Sequence, residues 1–242
     1  MIRKKIFKLP ATGFTERGTE ILRIEALSDA VFAFSVSLLV AALEVPQTFE
    51  ELRVILNGAI PFFSTVAMIF LFWYQQYKFF RRYGLNDTGT IILNLAYLAV
   101  ILFYVYPLKF LFSVLLGSWT GIDLFPHATE KGLAILQQED FSRLIILFSI
   151  GYAVLWLLLL LMYHRALMLT KKMELTAFET HITKTERRGA LLNVCVGAAA
   201  VLLALAGQEL LSGICYLLIP VLMVLNNRRA KQKNKIIVDK AP

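Results

Sequence analysis

Six polar residues stand at the thresholds of three apolar runs: Arg23, Ser28 and Asp29 before the first, Trp73 and Gln76 near the end of the second, Asn94 near the start of the third. No nucleophile, acid–base pair or metal-ligand spacing comes out of this set. What these types can do is hydrogen-bond to one another where water is scarce. Left unpaired in hydrocarbon, such groups cost several kcal/mol each. Their common chemistry is therefore positional.

Past Asp29 the first run carries no charge until Glu44, and Ala26, Ala30, Ala33, Ser37 and Ala41 recur at helical spacing. Phe34, Ser37, Leu38 and Ala41 form an overlapping face. A bulky apolar ring followed by a hydroxyl suits the wall of a narrow pore. Apolar constrictions gate by dewetting, and hydroxyls can replace part of an ion's hydration shell. The same stripe also suits close helix packing, with the serines bonded back to their own helix. The residues alone leave both readings open.

The elements that must hold these residues are membrane helices. The chain has 242 residues, 58% of them hydrophobic and only 17% charged, against about 25% charged in soluble domains. Apolar runs near the length of a bilayer span recur along it. The pattern predicts an all-α membrane protein with six spans, at about 26–44, 57–79, 90–116, 143–163, 190–206 and 209–226. The whole chain, 1–242, reads as one transmembrane domain with basic N-terminal (1–23) and C-terminal (227–242) segments. Pro107 predicts a kink or an early exit in the third span. The short link Ala206-Gly207-Gln208-Glu209 predicts a hairpin between the last two. No signal peptide is expected, because Asp29 interrupts the first run and the segment before it is long and broken by Pro10, Gly13 and Gly18. Cys195 and Cys215 read as buried small hydrophobes.

Charge placement gives direction. Of the 25 Lys and Arg residues, 21 fall in the N-terminal segment, the second-to-third loop, the fourth-to-fifth loop and the C-terminal tail. All lie on one side of a six-span protein, so both termini are expected in the cytoplasm. A nucleic-acid footprint would gather charge on one soluble face, and no nucleic-acid partner is expected. The acidic loop at 118–142 reads as solvated, and the basic loop at 165–189 as an amphipathic helix on the inner leaflet. His127 falls in the outer loop, and His164 and His181 read as solvated residues of the basic side. None of the three sits in a catalytic motif, so an enzyme is not expected.

In this orientation Asp29, Gln76 and Asn94 each lie about one turn inside the cytoplasmic boundary, and Trp73 about a turn deeper, by the ~1.5 Å rise per residue of a helix. Hydrogen bonding among Ser28, Asp29, Gln76, Asn94 and the Trp73 indole would offset their burial. Arg23 and Asp29 are separated by about 240° around a helix and should not pair. Arg23 must look to another helix, another subunit or the headgroups. Two readings stand: an interfacial set that snorkels to water, or a network that fixes the first span against the second and third.

Arg23-x-x-x-Leu27-Ser28-Asp29, followed by AVFAFSVSLLV, resembles the Arg-x-x-x-Phe-Ser-Asp signature of the transmembrane protein 175 family of potassium channels. Trp73, Asn94 and Pro107 stand where that family has similar residues. The resemblance covers the first three spans, and the last three by topology alone. It implies a potassium-permeable cation channel in the plasma (inner) membrane, a homotetramer of single six-helix subunits whose first helices line a central pore. The lipid bilayer and permeant potassium are the other expected partners, with no cofactor and no bound metal beyond the permeant ion.

Carried across, the resemblance puts the apolar constriction at Phe34, the hydroxyl layer at Ser37, and further lining at Leu38 and Ala41. It gives the positioning network to Arg23, Ser28, Asp29, Trp73 and Asn94, with Gln76 where the family has histidine. Leu27 replaces the signature Phe, Phe34 is bulkier than the usual Ile or Leu, and Ser37 lacks the methyl of the usual Thr. Ala41 is smaller than the aliphatic residue often found one turn on. The implied scaffold is retained with altered conductance and selectivity. The alternative is a secondary transporter of a small solute, which would need a midplane site at broken helices.

Overall fold

A computed structural model describes residues 14–41, 45–121, 125 and 138–239. Helix α1 spans Arg23–Ala41, α2 Phe49–Asn57, α3 Ala59–Tyr83 and α4 Thr88–Thr120. Then come α5, Gln138–Met168, and α6, Ala177–Leu205. The chain ends with α7, Glu209–Ile214, a 3-10 turn at Cys215–Leu217, and α8, Leu218–Asp239. Five helical stretches are long and apolar enough to cross a membrane, or six if α2 and α3, bent by 42° at Gly58, form one span. The described residues hold no β-strand.

Several boundaries differ from those the sequence predicts. The second span gains a preceding helix, α2, whose start is set by the Thr48 hydroxyl accepting from the Glu51 amide. Helix α4 runs through Pro107 to Thr120, so there is no early exit. Residues 165–189 do not form a separate surface helix. Thr176 and Glu179 close a reciprocal capping box that starts α6 at Ala177, well before residue 190, and the helix continues unbroken to Leu205. The last span is interrupted by the 3-10 turn and then stays helical to Asp239, taking in most of the basic tail. Of the first span, residues 42–44 lie outside the described residues, as do His127 and most of the loop at 118–142. Cys195 is free and exposed on an apolar helix rather than buried, and Cys215 is free and half-buried. His181 is half-buried rather than solvated, with a buried Nδ1 that finds no partner among the described residues.

Aromatic rings form the middle of the bundle. Phe72 of α3 packs on Tyr97 of α4 and on Tyr152 and Trp156 of α5, with ring centroids 6.1–6.4 Å apart. Buried tyrosine hydroxyls then stitch the helices together. Tyr97 donates to the Phe72 carbonyl at 3.0 Å, and Tyr152 to Asn193 Oδ1 at 2.5 Å. Lipid tails give little hydrophobic drive for helix association, so shape and these hydrogen bonds must supply it.

The end of the bundle that carries most of the arginines is laced by ion pairs. Asp87 caps α4 through the Thr90 amide and is gripped by Arg165 from the end of α5, whose Nε lies 2.5 Å from Asp87 Oδ2. Partial burial alone would raise the Asp87 pKa, but hydrogen bonds from Arg165 and Thr90 outweigh it and hold the carboxyl at about 2, below its usual 3.8. A depressed carboxyl contributes stability above its unfolded pKa and loses it as pH falls through the folded one. The melting-temperature gap between wild type and Asp87→Asn in detergent is therefore expected to be constant near neutrality. It should close as pH drops from 3.8 toward about 2, and a gap that persists at the acid end would show the tie to be uncharged.

Candidate functional site

Helix α1 has two faces. Ile24, Ser28, Phe32, Ser35 and Leu39, spaced four, four, three and four, are buried against α3 and α4. Leu27, Ala30, Phe34, Ser37 and Ala41 occupy a second stripe and are exposed, with Phe34 56% accessible. Leu38 lies at the border between the two and is half-buried. The turn of the helix about its own axis thus decides which side chains leave the subunit. That turn is set by the polar residues.

Ser28 is the pivot. Its hydroxyl donates to the Ile24 carbonyl at 2.7 Å and accepts from Asn94 Nδ2 of α4 at 3.0 Å. Asn94 Oδ1 in turn accepts from Gln76 Nε2 of α3 at 2.6 Å. All three side chains are buried, so α1, α3 and α4 meet in one continuous line of hydrogen bonds. A second, separate contact joins Trp73 Nε1 of α3 to Asp29 Oδ1 at 2.8 Å. Asp29 is exposed, and the Trp73 ring stacks on Tyr77 with centroids 5.5 Å apart. Arg23 is not brought into either set. It is exposed, and among the described residues it makes no hydrogen bond or ion pair within the chain.

The serines lower on the helix differ. Ser35 is buried and donates to the Val31 carbonyl at 2.8 Å. Ser37 is exposed and donates to the Ala33 carbonyl at 3.0 Å. A hydroxyl has one proton and two lone pairs. With its proton turned into the helix, Ser37 offers its lone pairs to whatever lies on the exposed side. Packing of the helix and presentation of an oxygen are thus compatible in one rotamer.

The family model described as endosomal/lysosomal potassium channel TMEM175 matches residues 23–104, from the start of α1 through the first half of α4. Every residue of the two hydrogen-bonded sets falls in that stretch. A protein from Marivirga tractuosa named potassium channel is 34% identical over 93% of this chain and 94% of its own length. The chain belongs to the TMEM175 family.

Two solved structures agree. A threonine-to-alanine variant of the potassium channel MtTMEM175, in complex with a nanobody–MBP fusion protein, is 35% identical. It superposes with a TM-score of 0.78 over 90% of this chain and 97% of that one. A TMEM175 homologue from Chamaesiphon minutus, described as a lysosomal potassium-selective channel homologue, shares the fold at 22% identity. Its TM-score is 0.52 over 86% of this chain and 96% of that one. As a TMEM175-family member the chain is not an enzyme, and it is a multi-pass membrane protein.

The sequence pattern does not single out the residues that brace this site from the arginine-rich end. Glu179 is buried in α6 and Glu186, on the same helix, pairs with Arg82 at 2.7 Å and Lys78 at 3.7 Å, both from α3. The one signal for Glu179 was Thr176-x-x-Glu179, a capping-box spacing.

Asn94→Ala would leave the Gln76 amide buried without its acceptor. We expect a loss of about 1–3 kcal/mol of stability, the cost of an unmade buried hydrogen bond, read as a lower unfolding midpoint in detergent. Asp29→Asn keeps an acceptor for the Trp73 indole and should cost less. Equal losses in the two variants would contradict this division of labour.

Proposed function

We propose that this TMEM175-family protein is a potassium-permeable cation channel in the plasma membrane, assembled from four copies that each contribute α1 to a central pore. The observation that carries the reading is the division of α1. One face is bonded to α3 and α4 through Ser28 and Asn94, while Leu27, Ala30, Phe34, Ser37 and Ala41 face away from the subunit. Relatives named as potassium channels supply the chemistry of the permeant ion. Counting α2 and α3 as one span gives six, and an even count together with the one-sided Lys and Arg supports a topology with both termini in the cytoplasm.

In this arrangement four Phe34 rings form the narrowest apolar layer and exclude water when closed. Four Ser37 oxygens follow one turn outward, with Leu38 and Ala41 beyond them. Because the Ser37 proton is spent on the Ala33 carbonyl, each oxygen presents lone pairs to a cation. Serine has no methyl to fix its rotamer as threonine has, so the hydroxyl layer is less rigid and discrimination between potassium and sodium is weaker. Arg23, exposed at the head of α1, is placed to meet the neighbouring subunit or a lipid headgroup.

A carrier is the second reading. The 3-10 break at Cys215–Leu217 in the last span resembles the discontinuous helices of transporters, but no charged residue lies between Glu209 and Arg228.

Planar-bilayer recording under a KCl/NaCl gradient tests the proposal. Wild type should give unitary cation currents, larger in Phe34→Ala and with a shifted reversal potential in Ser37→Ala. Silence in all three, from intact assemblies, would sink the channel and favour carriage, which saturating flux with counterflow would then reveal.

A further inference from the structure

The segment before α1 is not a loose terminus. Phe14 is 2% exposed, packed edge-on against Tyr83 at 5.7 Å, with the guanidinium carbons of Arg17 and Arg82 6.0 and 5.5 Å from its ring centre. The Arg17 and Gly18 amides donate to the Arg82 and Arg81 carbonyls at 3.3 and 3.1 Å, satisfying carbonyls at the end of α3 that the helix itself leaves open. Arg81 returns the contact, donating to the Gly18 carbonyl at 2.8 Å and pairing with Glu16 at 2.9 Å. The approach is so close that a Cβ on Gly18 would stand 2.4 Å from the Phe80 carbonyl oxygen. Gly84, which ends α3 with a positive φ of 57°, lies under Arg17 for the same reason. Residues 14–22 are a strap.

The strap is locked by one carboxylate. Glu179 of α6, 1% exposed, accepts Arg17 Nη1 and Nη2 at 3.0 and 2.9 Å, the Thr15 amide at 2.9 Å and the Thr176 amide at 2.9 Å. Arg17 spends its remaining donors on the carbonyls of Thr15, Met173 and Glu174. A bidentate, charge-assisted grip of this kind is among the strongest local contacts a chain can make. Only five residues lie between Arg17 and Arg23, the first residue of α1. At no more than ~3.6 Å per residue, the start of α1 cannot move far while the grip holds. Helix α1 packs directly on α3 and α4, and the strap adds a tie to α6 and to the turn before it.

We propose that Glu179 is a positioning residue for the pore helix, acting through Thr15 and Arg17 of the strap to fix where α1 begins. This rests on the reading of α1 as the pore helix. Releasing the strap lets the whole of α1 shift relative to its neighbours, which alters how often the pore is open. The open pore itself, lined a turn or more away, conducts as before.

Two measurements on the full-length assembly test this. In single-channel recording, Arg17→Ala, which loses the charge-assisted grip, and Gly18→Ala, whose Cβ would stand against the Phe80 carbonyl, each change open probability by on the order of tenfold, about the worth of one charge-assisted hydrogen bond, while unitary conductance and reversal potential stay at wild-type values. Asp87→Asn, which loosens α4 from α5 at the same end without touching the strap, leaves open probability unchanged. Spin labels at the exposed Ile21 and Lys184 of one subunit, diluted among unlabelled copies and with both native cysteines replaced, report the strap-to-α6 distance. The wild-type distribution is narrow and broadens in Arg17→Ala and Glu179→Gln. A wild type without unitary currents would defeat the channel reading, and the spin-label distances would still decide whether Glu179 holds the strap. Unchanged distances in both variants, a change in Asp87→Asn as large as in Arg17→Ala, or an altered unitary conductance would overturn the proposal.

Discussion

Hydrocarbon supplies no hydrogen bonds, and every polar group on α1 must therefore find a partner inside the protein or turn toward water. That constraint converts Ser28 into the fixed point of the molecule. Buried between α3 and α4, it bonds at once to its own helix and to Asn94, and Asn94 is bonded to Gln76. A rotation of α1 by even one residue position, about 100°, would break the bond to Ser28 and leave the buried Asn94 amide without its acceptor. The exposure of Phe34 and Ser37 follows from that bond, because they lie on the far side of the same helix.

The structure separates rigid and polar regions along its length. Aromatic rings and tyrosine hydroxyls fill the middle, where Phe72, Tyr97, Tyr152 and Trp156 meet. Charged pairs gather at the arginine-rich end, where Asp87 meets Arg165, Glu179 meets Arg17 and Glu186 meets Arg82. Buried ion pairs often do no more than offset their own desolvation. Their use here is in geometry: two of them join the end of one helix to another helix, the third ties the strap before α1 to the start of α6, and together they hold in register elements that lipid alone would not order. The last span, α7 to α8, buries almost none of its apolar surface within the subunit. It is the element with most of its face left for lipid or for another copy.

Much of this was legible in the chain. Apolar runs and the placement of Lys and Arg gave the multi-pass class, because both depend on local composition. Helical rise alone places Asp29, Gln76 and Asn94 at one depth, with Ser28 beside Asp29, and the structure bonds Gln76 through Asn94 to Ser28 rather than to Asp29. Asp29 instead forms a contact of its own with the Trp73 indole. Depth along a helix is readable from sequence, whereas the rotation that sends Ser28 inward and Asp29 outward depends on where neighbouring helices stand.

The sequence by itself determined the membrane-helical class, the likeness of the first three spans to the TMEM175 family, and which residue types could wall a pore. Those features are set by hydrophobicity, helical period and spacing. Only the tertiary structure decided that residues 14–22 are a strap, that α6 begins at Ala177, and that Glu179 is buried under Arg17. In the sequence these are a basic segment and a polar loop, indistinguishable from solvated ones. They become ordered because residues more than 150 positions apart close on each other, and a contact that distant has no local pattern to announce it.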